Sequence, residues 1–428
     1  MTASVNNEPP SSTRELGRLW TRKVHTTAFR GATRARIWAV LALLSPACQG
    51  IPPRPADWLI DPAPFRARVV HEGNGLALEN GLIRRGFLTS PGLACVELGF
   101  GSSGANLVRA IEPEARLVLD GREFAVGGLL GQTNRAFLSP AVELRADPAA
   151  FRLVRWGAGP IEARLAWKRA RPSEGRAWPP TGVHLELEFA PPVEFVETQG
   201  IRVLVHHELY DGLPLVSKWL EVRNDGQRPR RLERFESERL AVVEPGSAVE
   251  HRERWPESPL LAFSDYSMGG QEQAVSWTTD PLYTTQVNYR LQTPCLLVSR
   301  PPLGPDQELA PGARFVSQRT FELLLDTNER ERATLSLRRA LRTLAPWATE
   351  NPLILHATSA APADVRRAID QAAEVGFELV LLSLGSSFDL ESTDPAYAES
   401  IRELVEYAHT RGVELGGYSL LASRRISD

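Results

Sequence analysis

From about Phe65 to Leu325 the apolar residues recur at every second position. In "VHLELEF", Val183, Leu185, Leu187 and Phe189 fall on one face and His184, Glu186 and Glu188 on the other, which is the period of a half-buried strand. "RVLVHHEL" groups Val203, Val205 and Leu209, and "RTFELLLD" aligns Phe321, Leu323 and Leu325. "KWLEVRNDG" closes on Asn224-Asp225-Gly226, residues that tolerate positive φ and let a chain reverse. So long a run of strands without a helical pattern predicts a large antiparallel β-sandwich.

After Leu325 the rhythm changes. "NERERATLSLRRALRTLAP" predicts a connecting helix that stops at Pro346. "PLILHAT" then reads as a strand and "PADVRRAIDQAAEVG" as a helix, with Val365, Ala368, Ile369 and Ala372 on one face. Pro362 suits its first turn and Gly376 the left-handed position after its end. "FELVLLSL" is the apolar run of a strand covered on both faces. Asp394-Pro395 opens a second helix, whose stripe is Tyr397, Ile401, Leu404, Val405 and Ala408, and "VELGGYSLL" is a third strand. This βαβαβ order, with right-handed crossovers, begins both a doubly wound sheet and a (β/α)8 barrel. A barrel takes about 250 residues, and this 428-residue chain has fewer than 80 after Asn351.

Composition narrows the class. The chain is 43% hydrophobic and 24% charged, with a net charge of −3, so no basic field points to nucleic acid and no acidic tail to a basic partner. No apolar run is long enough for a membrane-spanning helix. Near the N-terminus, Arg30, Arg34 and Arg36 precede the apolar run Ile37–Leu44 and the sequence "SPAC". That order predicts an export signal over 1–48, hence a periplasmic, envelope-anchored or secreted protein. Cys48 directly after Ala47 is a candidate lipidation site, although Ser45 departs from the usual lipoprotein pattern. A short hydrophobic helix of the fold is the alternative. Beyond Cys48 only Cys95 and Cys295 remain, either as a disulfide or as two buried thiols.

The stretch "HHELYDGLPLVSKWLEVRNDGQRPRRLERFESERLAVVE", with "LAPWATENPLILH" and "GVELGGYSLLASR", resembles glycoside hydrolase family 36, the α-galactosidases and their bacterial relatives. The resemblance runs from about Trp58 to the end. It implies a β-supersandwich over 49–327, a helical linker over 328–350 and, over 351–428, an incomplete (β/α)8 (TIM) barrel truncated after its third strand. It also implies a carbohydrate substrate and retaining hydrolysis, in which one carboxylate attacks the anomeric carbon and another serves as acid and then base. In such enzymes the two are aspartates after the fourth and sixth barrel strands, so no residue of this chain inherits either role. The expectation is a protein inactive on its own, by truncation, frameshift or an incomplete gene.

The second barrel strand departs from the α-galactosidase pattern. Where those enzymes carry two aspartates, a glycine and a tryptophan, this chain reads "SLGSSF", with Gly385 in place but Ser383 and Leu384 instead of the acids. Candidate sugar contacts at the strand ends are His356 after the first strand, Ser386, Ser387 and Asp389 after the second, and Tyr418, Ser423 and Arg424 on or after the third. Tyr418 can stack on a sugar face and bond through its hydroxyl. The long segment from Ser264 to Tyr289 reads either as a cover for the barrel mouth or as a surface excursion.

Other motifs carry less. Gly99, Gly101 and Gly104 match GxGxxG without the βαβ setting that pattern needs, and fit a turn. His206 and Glu208 share a strand face but have no evident third metal ligand. "RPRRLER" after the turn reads as a solvated edge. No metal or organic cofactor is implied, and oligomeric state is left open. Three functions remain: a glycoside hydrolase of the α-galactosidase type, a non-catalytic carbohydrate-binding or interaction protein built on the sandwich, and another barrel enzyme using Ser383–Ser387 for phosphate.

Overall fold

The structure is a computed structural model that describes residues 57–101, 104–139, 143–167, 177–244, 258–268, 272–348 and 352–418. The export signal predicted over 1–48, with Cys48, and the candidates Ser423 and Arg424 lie outside these residues. The chain divides into two units at Pro55, and every described residue belongs to the second.

Antiparallel sheets dominate. A seven-stranded sheet runs in the order Arg152–Pro160, Gly182–Ala190, Ile201–Tyr210, Leu215–Asn224, Thr320–Leu324 and Leu260–Ser264, with Arg314–Val316 pairing on Leu215–Asn224. Three four-stranded sheets accompany it, and one of them is the meander from Arg68 to Phe100. The alternation read from the sequence is the alternation of burial: Leu185, Leu187, Phe189, Val203, Val205 and Leu209 all enter the main core, joined by Phe87, Leu117, Val216 and Leu220 from other strands. At roughly 25 cal/mol per Å², side chains buried on this scale dominate the favourable side of folding.

Asn224 ends its strand as expected, but the chain does not fold back on the same sheet. Its carboxamide nitrogen donates to the carbonyls of Arg228 and Leu309, both at 2.8 Å. The next strand, Arg230–Glu236, lies between Pro305–Leu309 and Ala115–Leu119 in a different sheet. The arginine-rich stretch is therefore an interior strand, not an edge. Two of its arginines find acids: Arg230 meets Asp120 at 3.1 Å and Arg231 meets Asp306 at 2.7 Å.

The helix α1 (Arg330–Leu344) forms as predicted, with the Glu329 carboxylate accepting from the Glu331 and Arg332 amides. It is fastened to the sandwich. Ala340 and Leu344 share a core cluster with Trp58, Tyr210, Leu215 and Phe321. Trp347, just beyond the helix, packs its ring 5.1 Å from that of Trp178.

Then comes a parallel three-stranded sheet, Ile354–Ala357, Leu379–Leu382 and Glu414–Gly417, with the middle strand paired on both sides. Its crossovers are α2 (Pro362–Val375) and α3 (Pro395–Thr410). Gly376 takes the left-handed cap after α2 at φ 85°, and the Asp394 carboxylate caps α3 through the Ala396 amide at 2.9 Å. Val365, Ile369 and Ala372 of α2 and Leu404 and Ala408 of α3 pack on Val380 and Leu382. The alternate residues of the sheet behave differently: Ile354 is 37% exposed and Leu379 and Leu381 are only partly covered.

Candidate functional site

Two polar assemblies compete for attention. The first is the edge of the parallel sheet where its strands end. His356 and Ser383, from adjacent strands, meet there, with imidazole Nδ1 2.9 Å from the hydroxyl. Beyond Ser383 the chain winds tightly. Gly385 sits at φ 86° and Ser387 at φ 70°, and a left-handed serine costs of order 1 kcal/mol that the surrounding loop must offset. Ser386 is buried, and its carbonyl accepts from the Ala360 amide at 2.8 Å. Asp389 uses Oδ1 to accept from the Glu391 amide at 3.0 Å, while its own amide donates to the Tyr397 hydroxyl at 2.8 Å. Tyr418 is 48% exposed, and its amide donates to the Leu382 carbonyl at 2.8 Å.

Of the residues picked from the sequence, His356, Ser387, Asp389 and Tyr418 are exposed at this edge and Ser386 is buried. Ser386 and Asp389 hold the loop in shape, and Ser387 provides its bend. Ser383, which stands where the α-galactosidases carry an acid, is the direct partner of His356. Retaining glycoside hydrolysis asks for two carboxyl groups about 5–5.5 Å apart. Of the acids that follow the second strand, Asp389, Glu391 and Asp394, the first and last each commit an oxygen to a backbone amide.

The second assembly lies inside the sandwich. Arg85, Lys218, Glu114, Glu238, Glu322 and His207 meet there with side chains at most 1% exposed. Arg85 bonds Glu322 at 2.8 Å and Glu238 at 2.9 Å. Lys218 bonds Glu114 at 3.0 Å and Glu238 at 3.1 Å. Two cations thus face three carboxyl groups. Burial raises Glu322 to about 8; Arg85 opposes that rise and the neighbouring Glu238 charge adds to it. Glu238 is held down at about 2, because its attraction to Arg85 and Lys218 outweighs its burial. With Glu322 protonated, the two cations face two anions and the cluster is neutral. Burial also lowers His207, to about 4, and pushes the neighbouring Cys95 thiol up to about 12. Such a thiol is inert at neutral pH. Cys95 and Cys295 are both buried and free, not a disulfide. This assembly specifies a core; it is walled off from ligands.

The outward face of the same sheet carries the His206 and Glu208 motif. Glu208 accepts from Arg319 at 2.6 Å and from the Tyr210 hydroxyl at 2.8 Å. His206 lies parallel to Trp219, with ring centroids 4.8 Å apart. Burial, then its neighbour His184, lowers His206 to about 3. The segment from Ser264 to Tyr289 is woven into the sandwich: Val275–Thr278 pairs with Leu296–Ser299, and Asp280 bonds Arg109 at 2.9 Å.

No protein-family profile matches the chain, and no curated protein matches it. Among solved structures, the chain is similar to the family 36 α-galactosidase AgaB from Geobacillus stearothermophilus, at 12% identity and a TM-score of 0.46, over 82% of this chain and 56% of that one. It is similar to the α-galactosidase from Lactobacillus brevis at 10% identity and a TM-score of 0.44, over 81% and 55%. A glycoside hydrolase family 97 enzyme from Pseudoalteromonas sp. strain K8, an R171K variant, follows at 11% identity and a TM-score of 0.34, over 81% and 53%. The chain spans little more than half the length of each.

Proposed function

We propose that this is an exported carbohydrate-active protein of the α-galactosidase type, with the parallel sheet as the opening strands of a (β/α)8 barrel. The observation that supports this most is the one-sided cover of that sheet. Both helices pack on the Val380 and Leu382 face, while the face of Ile354, His356, Leu379 and Leu381 stays partly or largely exposed. In a doubly wound sheet helices cover both faces; in a barrel the second face turns inward and its strand ends line the active-site rim. The sandwich-then-helix-then-parallel-sheet order agrees with the family resemblance of the sequence.

On this reading the described strands contribute sugar contacts through His356 and Tyr418, and no carboxylate pair. The chain therefore binds glycosides without turning them over. Titrating an aryl α-galactoside into the full chain should shift the His356 imidazole resonances saturably, and His356→Ala together with Tyr418→Ala should abolish the effect. Release of the aryl group well above buffer, or no saturable binding, overturns the proposal.

A further inference from the structure

We infer that the sandwich holds a second binding site, a cleft for an acidic sugar of the hexuronate class, separate from the edge of the parallel sheet. The cleft has a volume of about 310 Å³, within the range of small-ligand sites. Its floor is the outer face of the sheet that contains Ala115–Leu119 and Arg230–Glu236. Register places Arg234 opposite Val118 and Glu236 opposite Arg116, so all four side chains share that face. The segment from Arg300 to Gly304, with Pro301 and Pro302, forms one wall.

The guanidinium groups have donors to give. Arg234 is exposed and, among the described residues, makes no ion pair. Arg300 comes no nearer than 3.7 Å to Glu236, beyond hydrogen-bond distance. Arg116 bonds Glu123 at 2.7 Å through Nη1, yet its Nε is buried with no partner. Arg234 and Arg300 both line the cleft, and a carboxylate is the group whose two oxygens match the paired donors of a guanidinium.

The cleft is not only cationic. Glu123 and Glu236 also line it, and carboxylates accept hydrogen bonds from hydroxyl groups. Val118 and the two prolines offer apolar surface to a ring face. Cations for one carboxylate, acceptors for hydroxyls and a patch of apolar surface together describe a polyhydroxylated ring acid. A simple anion uses only the first feature and a neutral sugar only the other two.

The test is calorimetric titration of D-glucuronate into the full chain at low salt, with acetate and glucose as comparison ligands. Saturable binding of glucuronate, at least tenfold tighter than either, is expected. The double variant Arg234→Gln/Arg300→Gln should weaken it at least tenfold, while Arg68→Gln, an exposed arginine on another sheet, leaves it unchanged. Both cleft arginines are exposed, so an unaltered melting curve will show the variant folded; if it is not, Glu123→Gln should narrow the preference over acetate. Absence of saturable binding, equal binding of acetate or glucose, or undiminished binding in the folded double variant overturns the inference. None of these results bears on galactoside binding at His356.

Discussion

Arg85 and Glu322, 237 residues apart in sequence, join at 2.8 Å in the middle of the sandwich, where neither side chain has any exposed surface. Removing the guanidinium leaves the ionised Glu238, 2.9 Å from it, buried with less compensation, and an uncompensated buried charge costs about 3–5 kcal/mol. Arg85→Met should therefore lower stability by that order, read as a fall in the denaturation midpoint. Here the loss is shared, because Glu238 and Glu322 both depend on the same guanidinium. A variant as stable as the parent would show that the cluster contributes nothing net.

The proton on Glu322 makes a pH prediction. Its folded value of about 8 stands above the 4.5 of an ordinary glutamate, so between these values the folded chain holds a proton that the unfolded chain has released. Stability from this group is complete below about 4.5 and is lost as pH rises through about 8. Glu114 and Glu238 act oppositely: their folded values are lowered, so their contribution is present above the ordinary carboxylate range and lost in acid. Glu322→Gln should flatten the decline in stability between pH 5 and pH 8.5. Melting temperatures across that range read the difference, and parallel profiles for parent and variant would sink the idea.

How much of this was legible follows from the strand period. Alternation placed Val203, Val205 and Leu209 in the core, where they are. The same alternation puts Lys218 in register with Val216 and Leu220, and Glu322 in register with Leu324, so charges on an apolar face were there to be seen. What one strand cannot reveal is that Arg85, Glu114 and Glu238 come from other strands to neutralise them; that depends on sheet order. The turn at Asn224 was visible as a reversal. Its destination was not, because that rests on a carboxamide bond to Leu309, 85 residues away. At the sheet edge, the polar run after Leu384 was evident, whereas the buried Ser386 bonds through its carbonyl to the distant Ala360 amide.

The connecting helix behaves as part of the sandwich. Arg332 bonds both oxygens of Asp57 at 2.9 Å and meets Asp326 at 2.8 Å, and Arg339 donates to the Trp58 and Leu59 carbonyls at 2.8 Å. Hydrogen bonds to charged groups contribute about 1.5–3 kcal/mol when partly shielded. Arg332→Met should lower stability by about 1–3 kcal/mol and speed amide exchange in α1 more than in the strand Ile201–Tyr210. Uniform exchange rates in the variant would count against a helix anchored through this arginine.

The GxGxxG pattern gives a last contrast between a binding motif and a packing requirement. Gly99, in the strand Ala94–Phe100, forms a backbone bridge with Asn106, and a methyl group at Gly99 would lie 1.9 Å from the Ala105 carbonyl oxygen. That atom belongs to the backbone and cannot swing aside, so Gly99→Ala should break the bridge and cost more than about 2 kcal/mol. Gly104 has open space around its missing side chain but sits at φ 64°, so Gly104→Ala should cost only about 1 kcal/mol in backbone strain. Thermal melting of the two variants tests the ranking. A phosphate-cradling loop would instead require both glycines for ligand approach and leave the melting of the unliganded chain nearly alike in the two.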